Sequence, residues 1–361
     1  MTPHVPPSSN PLRVVVAEDS PTARRLLVEI IRADPGLEVV GEAKDGLEAV
    51  ELVHRLRPQL VTMDIQMPRM DGLEATRRIM TEVPTPVVVV STLVERDIQT
   101  SMSALRAGAL AVLQKLVGPE SPDFERESRH LRDTLRAMSA VKVVRQWPQR
   151  ASTPAPRPAA APGPRTRPAV IAIAASTGGP AALHRIFSEL PADFPLPILV
   201  VQHIALGFAE GMARWLDSVT ALRVKVAEDG EPLKPGTVYV AADDRHLGVT
   251  TDGRVQVSNA APVGGFRASG TFLFRATARA YGAASVALIL TGMGQDGLDG
   301  LRELRQSGAR VLAQDEATSI VFGMPGVVVA AGLADAVLPL DAIANHLKDL
   351  AASPGDIPPR G

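Results

Sequence analysis

The 361-residue chain is long enough for two domains, each with a sizeable core. Its 38 basic and 39 acidic residues leave a formal net charge of -1, which supplies no global field toward nucleic acid or anionic lipid, so binding rests on local sites. The absence of cysteine excludes a disulfide framework, a thiolate nucleophile and a cysteine-ligated zinc, a composition that fits a reducing compartment.

The opening MTPHVPPSSNP lacks a charged-then-apolar signal pattern, and no apolar run approaches the ~18 residues of a membrane span. The expectation is a soluble, cytoplasmic protein with no direct membrane insertion. Strand-like runs follow at Arg13–Ala17, Leu37–Ala43, Leu60–Met63, Val87–Val90 and Ala109–Leu113, with helix-like segments between them. Short Val-rich runs without in/out alternation suit strands buried on both faces, hence a parallel sheet covered by helices on each side. Trp147 to Pro168 then carries seven prolines and four arginines in 22 residues and no acidic residue. Such a segment reads as a semi-stiff solvated tether. Beyond it the pattern resumes at Ala169–Ala174, Ile198–Gln202, Thr237–Ala241, Val286–Leu290 and Val311–Ala313, with a hairpin over His246–Ser258 turning at Asp252-Gly253. The boundaries are a domain over 12–138, a Pro/Ala/Arg-rich linker over 139–168 and a second α/β domain over 169–350.

In an open parallel sheet the reactive crevice lies beyond the carboxyl ends of the strands. The first sheet ends its strands in Glu18-Asp19, Asp64, Ser91-Thr92 and Lys115. Three converging carboxylates repel one another unless a hard, oxygen-seeking divalent cation such as Mg2+ sits among them. With the cation in place Asp64 is the candidate phosphoacceptor, while Lys115 and Ser91 hold phosphoryl oxygens. Helix capping is the competing reading, since Asp19-Ser20-Pro21 looks like a helix start.

In the second half the run ending Ala175-Ser176-Thr177-Gly178-Gly179-Pro180 is a buried strand, a small-residue turn and a proline suited to a first helical turn. Ser176 therefore stands at a helix N-terminus, where free N–H groups favour developing negative charge. A serine nucleophile needs a base. Of the seven histidines, only His203 and His246 follow strands, and His203 shares the sheet edge with Ser176. The carboxylate that orients the imidazole is sought at another strand end, and Thr291–Gly297 offers Asp296 beside backbone N–H groups. The order Ser, His, Asp and the lack of a G-x-S-x-G elbow separate this from the α/β hydrolases.

The motifs AEDS, MDIQMPRMDG, VVVVS and Gln114-Lys115 resemble a response-regulator receiver domain over about Leu12 to Met138. AASTGGP, VQHI and TGMGQDG resemble the catalytic domain of the CheB family, the chemotaxis protein-glutamate methylesterases/glutaminases, and the receiver-linker-esterase order matches that family. The resemblance implies a flavodoxin-like, doubly wound receiver, Mg2+-dependent phosphorylation of Asp64 by a CheA-type histidine kinase, metal ligands Glu18, Asp19 and Asp64, and a switch through Ser91. It further implies Ser176 as nucleophile, His203 as general base, Asp296 as its orienter, the Met293 N–H as oxyanion donor and Thr177 as a residue that helps place the histidine. The implied reaction is hydrolysis of glutamate methyl esters and deamidation of glutamines on cytoplasmic helices of chemoreceptors, with no cofactor in the esterase step, and the unphosphorylated receiver covering the active site. Departures occur at Leu116 for a usual proline, Val112 for an aromatic, Ala268 for proline, Thr271 for aspartate, and in the Ile-Ala-Leu-Gly-Phe run after His203. They motivate an alternative, a catalytically idle receptor-binding scaffold. A DNA-binding output module finds no helix-turn-helix or basic surface after Pro168.

Overall fold

A computed structural model describes residues 11–91, 104, 107–116, 118–121, 124–139, 166–204 and 206–352. The expected tether up to residue 165, the opening segment with His4, and the surface that follows strand four at 92–103 lie outside the described residues. The chain divides into two compact units, within 1–150 and within 151–361.

In the first unit β1 (Leu12–Ala17), β2 (Leu37–Ala43), β3 (Leu60–Met63), β4 (Val87–Ser91) and β5 (Ala111–Gln114) form one sheet in the order β2-β1-β3-β4-β5, with every pairing parallel. That is the doubly wound, flavodoxin-like order. Helices α1 (Pro21–Arg32), α2 (Gly46–Leu56), α3 (Gly72–Glu82) and α4 (Phe124–Ser139) complete the described unit. Strand ends hand over to capped helices: the Ser20 hydroxyl accepts from the Ala23 N–H, the Asp45 carboxylate from Glu48 and the Asp71 carboxylate from Glu74. Ser20 therefore caps α1 and Asp19, its neighbour, is left exposed. The partly buried Val112 side chain packs against the cluster that includes Val89, Met63 and Ala104.

The second unit holds seven parallel strands in the order β14-β13-β12-β6-β7-β9-β8. They are β6 (Val170–Ala175), β7 (Ile198–Gln202), β8 (Arg223–Val226), β9 (Thr237–Val240), β12 (Ser285–Ile289), β13 (Arg310–Gln314) and β14 (Ala336–Leu338). β6, β7, β9 and β12 are buried at every residue, which is why they read as continuous apolar runs. β10 (His246–Val249) and β11 (Val255–Ser258) pair as the expected antiparallel hairpin, with Gly253 at φ 77° in its turn. Helices α5 (Gly179–Phe187), α6 (Ala209–Val219), α7 (Gly270–Tyr281), α8 (Leu298–Gln306), α9 (Met324–Ala330) and α10 (Leu340–Ala352) alternate with the strands. The core on one side of the sheet gathers Leu199, Val201, Tyr239, Phe274, Ile289 and Leu301. Two edge strands, β8 and β14, were not expected from the sequence.

Leu199 is fully buried at the middle of β7. Leu199→Ala should lower the stability of the second unit by about 2–5 kcal/mol through lost burial and a residual cavity. Denaturant unfolding followed by the fluorescence of the buried Trp215 would measure it.

Candidate active site

Parallel register brings the three expected residues of the second unit to one edge. Ala175 of β6 pairs with Gln202 of β7, so the residues that follow, Ser176 and His203, leave the sheet side by side. The Ser176 N–H donates to the Thr291 carbonyl at 3.0 Å and the His203 N–H to the Ala175 carbonyl at 2.9 Å, so three chain segments are tied at this edge. Gly292 permits the approach: a Cβ there would lie 2.7 Å from the Ser176 Cβ and 2.5 Å from the Met324 sulfur. Gly178, at φ 80°, makes the turn into α5, and a side chain on it would strike Ile320.

His203 Nε2 lies 2.9 Å from Asp296 Oδ2. Asp296 is buried, and burial alone raises a carboxyl pKa. The hydrogen bond and charge of His203, the Ser269 hydroxyl and the Gly270 N–H outweigh burial and hold Asp296 at about 2. Its oxygens accept from Ser269 Oγ at 2.7 Å, and from the N–H groups of Gly270 at 2.6 Å, Thr271 at 3.1 Å and Gly297 at 2.9 Å. An ionised carboxylate can only accept, so the imidazole proton sits on Nε2 and the lone pair on Nδ1. Nδ1 is buried and has no hydrogen-bond partner. Ser176 and His203 are thus neighbours by register, without a hydrogen bond from the serine hydroxyl to Nδ1 in this structure.

The loop from Thr291 to Gly297 is fixed around the serine. The Thr291 hydroxyl donates to the Thr177 carbonyl at 2.9 Å and accepts from the Val321 N–H at 2.9 Å. Thr177 is therefore engaged through its backbone. Its hydroxyl does not bond the imidazole, whose two nitrogens are the one held by Asp296 and the one without a partner. Met293 lies between Gly292, whose carbonyl accepts from Gly323 and Met324, and Gly294 at φ 89°. His246, the other histidine that follows a strand, is fully buried, bonded to the Ala261 carbonyl and stacked on Phe272, which makes it a core residue of the hairpin.

Three contributors escaped the sequence reading. Gln202 sends its amide Nε2 to the carbonyls of Ser176 at 2.7 Å and His203 at 2.8 Å, bridging the two residues through the backbone. Ser269 caps α7 and also holds Asp296. Phe266 stacks on His203. The departure at Thr271 is integrated as well, since its hydroxyl accepts from the Gly297 N–H at 2.9 Å while its own N–H supports Asp296.

In the first unit, Glu18, Asp19 and Asp64 each offer a carboxylate oxygen within 4.8 Å of the others. Ala17 and Met63 are register partners, so Glu18 and Asp64 emerge together from β1 and β3. Lys115 Nζ is 2.9 Å from both Asp64 Oδ2 and the Glu18 carboxylate. Burial raises the pKa of Glu18 and of Asp64 despite the lysine, while the hydrogen bonds to those two carboxylates outweigh burial and raise that of Lys115. Both Glu18 oxygens lie 2.9 Å from the lysine nitrogen, Oε1 in a hydrogen bond and Oε2 in the ion pair. Three carboxylates offering oxygen ligands only, with a single ammonium group between two of them, fit a hard divalent cation. Ser91 is buried at the end of β4, its carbonyl accepting from the Lys115 N–H at 2.8 Å. Gly72 lets α3 begin close against the end of β3, where a Cβ would lie 1.9 Å from the Asp64 carbonyl oxygen.

Residues 171–347 match the CheB methylesterase family and residues 14–121 the response regulator receiver domain. The chain is 70% identical over 351 residues to protein-glutamate methylesterase/protein-glutamine glutaminase 4 of Myxococcus xanthus, covering 97% of this chain and 99% of that protein. It is 59% identical over 338 residues to protein-glutamate methylesterase/protein-glutamine glutaminase 3 of Anaeromyxobacter dehalogenans, covering 93% and 98%. The crystal structure of the Thermotoga maritima CheB methylesterase catalytic domain is similar at 41% identity and a TM-score of 0.50, over 51% of this chain and 98% of that one.

Because the Asp296 pKa is depressed from 3.8 to about 2, its stabilisation is complete above the unfolded value and is lost as the pH falls toward the folded one. The stability difference between wild type and Asp296→Asn, taken from urea unfolding at about pH 5 and about pH 3, should be smaller by about 1 kcal/mol at the lower pH.

Proposed function

Because the chain belongs to the CheB family of receiver-linked protein-glutamate methylesterases/protein-glutamine glutaminases, we propose that it hydrolyses glutamate methyl esters and deamidates glutamines through Ser176, His203 and Asp296. The observation that carries the assignment is the His203–Asp296 hydrogen bond, which leaves Nδ1 as a free base on the strand beside Ser176.

His203 Nδ1 takes the proton of the Ser176 hydroxyl as the oxygen attacks the ester or amide carbonyl. The tetrahedral oxyanion forms beside the Met293 N–H, whose glycine neighbours keep the backbone accessible. On collapse the imidazolium returns its proton to the leaving group, which departs as methanol or ammonia and leaves a glutamyl-serine ester. Water then gives its proton to Nδ1, attacks that ester and releases the glutamate, with the proton returned to Ser176. Asp296 remains ionised throughout, stabilises the imidazolium and keeps the Nε2–H tautomer.

Control comes from the receiver. Asp64 is the phosphoacceptor, with Lys115 and Ser91 holding phosphoryl oxygens. Glu18, Asp19 and Asp64 are the residues that would hold Mg2+, which when bound offsets carboxylate repulsion toward an incoming phosphoryl group. The phosphodonor is a CheA-type histidine kinase and the substrates are chemoreceptors, or methyl-accepting chemotaxis proteins, in the cytoplasm. Among the described residues no helix is long and apolar enough to cross a membrane. The domains span 12–138 and 169–350, joined by the Pro/Ala/Arg-rich segment 139–168.

Ser176→Ala should abolish methanol release from methylated receptor while Asp64 still accepts phosphate from a small phosphodonor with Mg2+; undiminished release overturns the nucleophile assignment. In the same assay the phosphodonor should raise the rate of wild type and leave Asp64→Asn unchanged. An equal rise in both would remove Asp64 from the control mechanism.

A further inference from the structure

Phe266 is one of three exposed large apolar side chains among the described residues, 37% accessible, yet its position is defined. Its ring centroid lies 4.2 Å from that of His203 with the two planes 4° apart, a face-to-face stack on the imidazole. The short turn that carries it is built for the purpose. Val263 and Phe266 exchange both backbone hydrogen bonds at 3.0 Å, and Gly264 and Gly265 between them have φ values of 60° and 86°. A two-residue primed turn demands positive φ at both positions, and a Cβ on either glycine would meet nothing, so conformation rather than space requires glycine. The next residue anchors the turn: Arg267 donates to both oxygens of Asp244 at 2.8 Å and to the carbonyls of Asn259 and Ala260 at 3.3 Å.

The stack supplies a constraint that the rest of the site lacks. The imidazole is held at one end by its own Cβ and at the other by the bond from Nε2 to Asp296. Half a turn about Cβ–Cγ would carry Nε2 to the Cε1 position and break the bond to Asp296, so that bond selects which way round the ring sits, but a hydrogen bond bends readily and holds smaller rotations of the ring plane only loosely. Those smaller rotations tilt the direction in which Nδ1 points. Nδ1 has no hydrogen bond of its own to settle the matter. A parallel phenyl face at van der Waals distance does settle it, since an imidazole turned out of plane would collide with the ring.

We infer that Phe266 is a positioning residue for the hydrolysis, its ring fixing the rotation of the His203 imidazole so that Nδ1 keeps one direction. This rests on the roles proposed above for Ser176 and His203. A phenyl that contacted only substrate would act on binding; one that orients the base acts on turnover.

The test uses the full chain and a methylated receptor, comparing wild type with Phe266→Ala, Phe266→Tyr, Phe266→Leu and Ser176→Ala. Phe266→Ala should lower kcat on the order of 10- to 100-fold with KM within about twofold. Phe266→Tyr, which keeps a planar face, should restore kcat to within about threefold. Phe266→Leu, apolar but not planar, should resemble Phe266→Ala. Independently of turnover, the His203 ring-proton resonances in wild type should lie upfield of those in Phe266→Ala through the phenyl ring current, and those of Ser176→Ala should match wild type. Unfolding midpoints of the three Phe266 variants should equal wild type, because the side chain is at the surface. An unchanged kcat in Phe266→Ala or Phe266→Leu, a loss confined to KM, or no resonance shift overturns the proposal while Ser176→Ala remains inactive. Activity retained in Ser176→Ala refutes instead the serine mechanism on which it rests.

Discussion

A single ionised carboxylate in a buried position sets the terms for the catalytic unit. Removing such a charge from water costs several kcal/mol unless each oxygen is hydrogen-bonded. Asp296 meets that requirement with His203 Nε2, the Ser269 hydroxyl and the N–H groups of Gly270, Thr271 and Gly297. These donors come from the end of β7, the start of α7 and the loop after β12, so satisfying the charge draws together the segments that make up the active edge. The first turn of α7 adds its dipole to the same oxygens. Gly270 is needed at that turn because a Cβ would lie 2.8 Å from the Ala174 Cβ, on the strand that ends in the serine.

The receiver treats charge in the opposite way. Glu18 and Asp64 share one ammonium group, Lys115. Burial therefore prevails and raises both carboxyl pKa values, whereas at Asp296 hydrogen bonds prevail and lower it. The contrast suits the two tasks. An orienting carboxylate works best when its donor set is complete and rigid. Under the proposed function Asp64 has to gain and lose charge, and it shares the single Lys115 ammonium with Glu18.

Much of this was legible from short apolar runs and from the rule that chemistry gathers at the carboxyl ends of parallel strands. Leu37–Ala43, Leu60–Met63 and Ile198–Gln202 coincide with β2, β3 and β7, since strands buried on both faces advertise themselves by composition. The strands that escaped, RVKV in β8 and the three-residue β14, are sheet edges whose side chains are partly exposed. Ser176, His203 and Asp296 each end or follow a central strand and were found on that ground. Ser269, Gln202 and Phe266 were not, because their roles depend on where the start of α7, the backbone of a neighbouring strand and a glycine turn arrive in space. Thr177, which the family resemblance implied helps place the histidine, is tied to the Thr291 loop through its carbonyl, a contact that its residue type does not announce.

Strand order also accounts for which imidazole nitrogen faces which partner. The sequence of strands is β12-β6-β7, so the serine stands on the middle strand while carboxylate and histidine come from its two flanks. Strands two places apart are separated by about 10 Å. Neither the carboxylate nor the imidazole can span that distance alone, so the Asp296 loop arches toward β7 and the imidazole extends to meet it. The nitrogen farthest from the backbone, Nε2, is the one that reaches the carboxylate. Nδ1, nearer the backbone, is then left for the hydroxyl on the adjacent strand. The chymotrypsin arrangement has the opposite pairing, with Nδ1 on the carboxylate and Nε2 on the serine. The proton map of the site follows from the topology of the sheet, before any side chain chooses a rotamer.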